Sequence, residues 1–66
     1  MEWPQVVHIT EIQSRLINDG VPVERAMKVT SEIGPLLNGD RYRIERGAGD
    51  LYLYAHGNGY YHVAGE

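Results

Sequence analysis

The sequence predicts an α+β fold, a two-helix hairpin followed by a small three-stranded antiparallel sheet. Two observations predict it. Up to about residue 39 the apolar residues recur every three or four positions, the spacing of a helix with one buried face; beyond it they alternate, the spacing of strands. Glycine and proline punctuate the chain between these runs, at Gly20, Pro22, Gly34-Pro35 and Gly39.

The first helix is expected over residues 4–19. Pro4 suits a first helical position, where a backbone N–H has no partner anyway. Val6, Ile9, Ile12 or Gln13, and Leu16 then share one face, and Gly20 is a natural C-terminal stop. A later start competes with this one. Thr10 and Gln13 form a T-x-x-Q capping-box pattern, which would leave the β-branched Val6, Val7 and Ile9 extended. The longer helix is the preferred reading. The second helix is expected over 22–37, opened by Pro22, with Glu24 complementing its dipole. Val23, Ala26, Met27, Thr30 and Ile33 form its apolar stripe. Gly34-Pro35 must end or kink it, because Pro35 has no N–H and clashes with the carbonyl of Ser31. A short connection makes the two helices an antiparallel hairpin, and Asn38-Gly39 turns the chain into the sheet.

Strands are expected over 41–46, 51–56 and 60–64. The first puts Tyr42 and Ile44 on one face and Arg41, Arg43 and Glu45 on the other. "GAGD" at 47–50 is a turn. The last two strands form a hairpin whose loop length sets the faces. A two-residue Asn58-Gly59 turn would pair His56 with Tyr61 and mix Tyr60 and His62 into the leucine face. A three-residue loop, Gly57-Asn58-Gly59, pairs His56 with Tyr60 and Tyr54 with His62. It then puts Leu51, Leu53, Ala55, Tyr61 and Val63 on one side and Tyr52, Tyr54, His56, Tyr60 and His62 on the other. The cleaner partition is favoured, with the helices expected on the aliphatic side and Arg41 and Arg43 sharing the tyrosine-histidine side.

Size limits what this fold can do. Sixty-six residues make one domain, expected over 1–66. A core this small rarely supplies more than about 3–5 kcal/mol. There is no cysteine, so disulfides, thiolate metal sites and cysteine nucleophiles are excluded, and a cytoplasmic location fits. There is no phenylalanine and one tryptophan, a thin core that self-association would help. No apolar run approaches the ~18 residues of a membrane span, and "MEWPQVV" lacks the basic and apolar regions of a signal peptide.

Four of the five tyrosines and two of the three histidines fall in residues 51–63. Two layers leave the outer sheet face without cover, and a contiguous aromatic patch usually marks an interaction site. Tyrosine and arginine are the residues of interface hot spots. Cross-strand tyrosines also suit sheets for packing reasons alone. Tyr52, Tyr54, His56, Tyr60, His62, Arg41 and Arg43 are therefore the candidate partner-binding residues. Tyrosine supplies rigid apolar contact with a polar tip, arginine charge-assisted bonds, and histidine a charge that changes near neutrality. The alternative is a transcriptional regulator or single-stranded nucleic-acid binder that stacks unpaired bases on the same face. The net charge of −3, Glu45 between the arginines and the lack of an RNP-type motif count against it.

No cofactor or metal is expected. His56 and His62 lie diagonally, roughly 7–8 Å apart, and two imidazoles do not complete a tetrahedral zinc site. Nor is catalysis expected. Ser14 and Ser31 sit on helices outside any nucleophile-elbow motif, and the glycine-rich turns do not form a strand–loop–helix phosphate cradle. Glu11, Asp19, Glu24 and Glu32 read as solvated helix positions or caps.

Residues 16–47, "LINDGVPVERAMKVTSEIGPLLNGDRYRIERG", run helix, glycine link, helix, glycine turn and short strand ending at a basic residue and glycine. The matching positions are Gly20-Val21, Ala26, Ile33, Leu37, Gly39, Tyr42-Arg43-Ile44 and Arg46-Gly47. In this the segment resembles the dimerisation region of the Mor/C family of phage middle-gene transcription activators. The resemblance covers about half the chain and implies an intertwined homodimer packed through the helices and strand. It does not extend to the family's helix-turn-helix, whose place is taken by the tyrosine hairpin, so no DNA-binding residue carries over. The combined expectation is a non-catalytic protein-binding module, homodimeric, in the manner of a phage-type inhibitor or modulator of a host protein.

Overall fold

The computed structural model describes residues 3–47 and 49–65; Ala48 of the expected 47–50 turn lies outside them. Its elements are β1 (Val6–His8), α1 (Ile9–Asn18), α2 (Val23–Ile33), β2 (Arg41–Ile44), β3 (Leu51–Gly57) and β4 (Tyr60–Gly65). The strands form one antiparallel sheet in the order β1-β4-β3-β2. The α+β class is as expected, but the sheet has four strands where three are expected.

The added strand comes from the expected first helix, which begins at Ile9 and not at residue 4. A helix through 4–8 would use Val6 and leave Val7 to solvent. As a strand, Val7 is 2% exposed opposite Tyr61, while Val6 points outward opposite His62. The strand also covers an edge of β4 that would otherwise present unpaired N–H and C=O groups. Val6 and Val7 are extended, as in the capping-box alternative, but Ile9 is already helical and the cap falls two residues before Thr10. His8 is the N-cap, with φ −86° and ψ 150°, and its Nδ1 accepts from Thr10 N at 3.3 Å.

α2 runs Val23–Ile33, ending four residues before the expected position. Pro35 cannot continue the ladder, and Leu36 N turns back to Ile33 O at 3.1 Å. Its buried residues are Ala26, Val29 and Ile33; Val23 and Met27, expected in the stripe, are about half exposed. Two apolar arcs overlap on this helix, and the one through Val29 faces the core. β2 stops at Ile44, two residues early, because Arg46 leaves the sheet to reach Asp19 at the end of α1.

The core lies between the helices and one sheet face. Ile12, Leu16, Ile33 and Leu53 are fully buried, with Ile44, Leu51 and Val7 at 2% exposure or less. Tyr61 is the buried aromatic ring of this layer, and its hydroxyl donates to Ile33 O at 3.0 Å, tying β4 to the end of α2. The shortest extent of the molecule is 16 Å, which fits two layers and no third.

Candidate functional site

The face of the sheet turned away from the helices is built by the β3–β4 hairpin and its two flanking strands. Asn58 and Gly59 have φ of 57° and 80°, the positive values that a two-residue type I′ turn requires at both positions. A bulge then absorbs His56, so that Gly57 (φ 90°) and not His56 pairs with Tyr60. This corrects the expected His56–Tyr60 pair and three-residue loop. The bulge achieves what that loop was expected to do: Tyr54 still pairs with His62 and Ala55 with Tyr61. The aliphatic residues Leu51, Leu53 and Ala55 are buried, and the intervening Tyr52 and Tyr54 are half-buried on the other side.

Strand register lines the outer side chains into rows. One row crosses the whole sheet as Val6, His62, Tyr54 and Arg41. Another joins Ala64, Tyr52 and Arg43. At the turn end His8 stands opposite Tyr60. All seven candidate residues are on this face, Arg41 and Arg43 included. Two residues join them that the sequence reading placed on a helix, Val6 and His8. The available signal was the capping-box alternative, which left Val6 and Val7 extended.

The rings hold one another. His8 and Tyr60 meet edge to face with centroids 4.8 Å apart. His56 and His62 stack 8° from parallel at 5.8 Å, and Tyr54 leans on His62 at 6.4 Å. The Arg41 guanidinium sits 5.1 Å from the centre of the Tyr52 ring, a cation–π distance. Arg43 is held differently, by Glu45 at 2.8 Å and Asp50 at 2.9 Å. Tyr60 is 48% exposed and Val6 47%.

Ser14 and Ser31 return their hydroxyls to the carbonyls of Glu11 and Lys28 in their own helices. Among the described residues no three His, Asp or Glu gather as a metal-binding group. A cleft of about 120 Å³ under the hairpin turn, between Ile9, Leu36 and Tyr61, has no charged side chain in its walls. No helix of the described residues is long and apolar enough to cross a membrane. Comparison with protein families, with curated proteins and with solved structures finds no match for this chain.

Proposed function

We propose that this chain is a non-catalytic protein-binding module whose target seats on the outer sheet face. The observation that carries this is the one-sided sheet: helices cover its aliphatic face, and its uncovered face gathers three tyrosines, three histidines and two arginines, with the rings and Arg41 packed in three local groups. Rings held by their neighbours lose little conformational entropy on binding, which favours affinity from a small area. Such a face acts by occluding its target, the mode of the phage-type inhibitor or modulator suggested by the 16–47 resemblance. The homodimer implied by that resemblance has a separate surface available. Val23 and Met27, one turn apart on α2, are 52% and 53% exposed.

Sedimentation equilibrium at micromolar concentration on wild type, Tyr54→Ser and Met27→Ser tests both parts. The expected result is a dimer in wild type and Tyr54→Ser, weakened in Met27→Ser. Loss of the dimer in Tyr54→Ser would mean that the sheet face serves self-association, and the target reading would fall. A monomer throughout would remove the dimer. Affinity capture followed by titration of the captured protein should then show binding lost in Tyr54→Ser and kept in Met27→Ser.

A second reading is single-stranded nucleic acid, favoured by the open face of a four-stranded sheet bearing exposed aromatic rings. It requires binding that weakens steeply with salt, whereas tyrosine burial on a protein is mainly apolar and responds less.

A further inference from the structure

We propose that the partner of the outer face is an acidic protein segment carrying two carboxylates about 10 Å apart around an apolar residue, an inference that rests on the protein-binding reading above. The first support is where the charge lies. The chain has a net charge of −3, yet its described carboxylates are elsewhere or engaged. Glu11, Glu24 and Glu32 are on the helices. Asp19 at the end of α1 is paired with Arg46, and Asp40 accepts from Leu37 N in the turn. Glu45 and Asp50 occupy one corner of the sheet, both bound to Arg43. The row Val6–His62–Tyr54–Arg41 and the His8–Tyr60 pair contain no carboxylate.

The second support is Arg41. It is exposed, and among the described residues it has no ion pair and no side-chain hydrogen bond. The Tyr52 ring beneath it fixes the guanidinium while leaving its N–H fork unoccupied, the arrangement that receives a carboxylate in a bidentate fashion. Across the same row, His62 with its stacked neighbour His56 offers ring N–H groups two strands away. The backbones at Arg41 and His62 are two strand spacings apart, about 10 Å. Tyr54 lies between and presents an apolar ring. Carboxylates seven residues apart on one helix face are spaced by roughly 10.5 Å, with positions three and four between them for the apolar contact.

A second copy of the chain does not supply this pattern. Its sheet face would bring arginine and histidine against the same groups. Its helix surfaces offset Glu11, Glu24 and Glu32 with Arg15, Arg25 and Lys28. A nucleic-acid strand would bring one phosphate per nucleotide to a face with one permanent cation not already paired.

The test is an amide NMR titration of the isotope-labelled chain with three probes. The first is a helical peptide of roughly 15 residues with Glu at two positions seven apart and Leu at the third and fourth positions between. The second is its Gln counterpart, and the third is a short oligothymidylate. The Glu peptide should bind about tenfold tighter than the Gln peptide, with shifts at Arg41, Tyr52, Tyr54 and His62. Arg41→Gln, its fold verified by its own spectrum, should remove most of that preference. Equal binding of both peptides on this face overturns the acidic specificity and leaves the protein-binding reading standing. No binding of the Glu peptide, or a preference untouched by Arg41→Gln, also overturns it. Shifts confined to the helices would overturn both. Tighter binding of the oligonucleotide would overturn both in favour of nucleic acid.

Discussion

One carboxylate oxygen of Asp19 accepts from Trp3 Nε1 at 2.6 Å and from Arg46 at 2.9 Å, joining the start of the described chain, the end of α1 and the β2–β3 connection. The Asp19 and Arg46 side chains are 7% and 13% exposed, so removing one partner strands the other away from water. Asp19→Asn should cost about 3–5 kcal/mol, comparable to the whole stability of so small a core, so the variant should be largely unfolded in a urea titration. The pair is not itself fully satisfied, since the buried Nε of Arg46 has no protein partner. Asp19→Leu combined with Arg46→Met should therefore recover the part of the loss that comes from the stranded charge, leaving the part that comes from the Trp3 hydrogen bond. A double variant as unstable as the single one would show that the geometry, and not the stranded charge, is what matters. A second residue sets the alkaline limit. The Tyr42 hydroxyl is pushed up from 10.0 to about 12, first by burial, then by its hydrogen bond to Glu32 and by that carboxylate's charge, against a small opposing pull from Arg25. Burial raises Tyr61 as well. In each case the folded state holds the proton more tightly. The resulting stability is complete below pH 10 and, for Tyr42, is lost as pH rises through about 12. Stability measured against pH should fall over that window, and Tyr42→Phe should flatten part of the fall; an unchanged slope would remove Tyr42 from the account.

At the scale of elements, the junction of β1 and α1 is held by one side chain in two roles. The His8 ring caps the helix through Thr10 N and meets Tyr60 across the strand pair. His8→Ala should cost about 1 kcal/mol for the cap, and His8→Asn should recover that portion by giving the same acceptor. Equal loss in both, read from thermal unfolding, would assign the effect to the Tyr60 contact. This junction is also where sequence reading was weakest. α2 and the three later strands announce themselves locally, by Pro22, by Gly34-Pro35 and by strict alternation in "LYLYAH". The three residues of β1 have no such signal. Val6 and Ile9 fit a helical stripe as well as Val7 fits an alternating one, and what decides is pairing with residues 60–62, more than fifty positions away. The hairpin shows the reverse case. Its faces were legible because only one partition separates leucine from histidine, although the bulge that achieves it was not.

For the molecule as a whole, the seven outward side chains were legible because period-two alternation assigns faces without knowledge of the neighbours. The completeness of the face was not, since Val6 and His8 enter it only through β1. The rotation of α2 was hidden for a similar reason. Val23 and Met27 are as apolar as the residues that turn inward, and only packing chose between the arcs. The outcome is a body with two distinct uncovered regions, an aliphatic one on α2 and an aromatic, basic one on the sheet. Their independence is what the Met27→Ser and Tyr54→Ser comparison measures.

The strand order has a consequence for how the protein is made. β4 lies inside the sheet, between β1 and β3, yet Tyr60–Gly65 follow every other element in the chain. A ribosome adding about 5–20 residues per second takes several seconds to go from His8 to Tyr60. Throughout that time β1 has no strand to join, and the leucines of β3 have a neighbour on one side alone. The helices can form early, but the sheet closes only once β4 has emerged, so folding is expected to wait for Tyr60–Gly65.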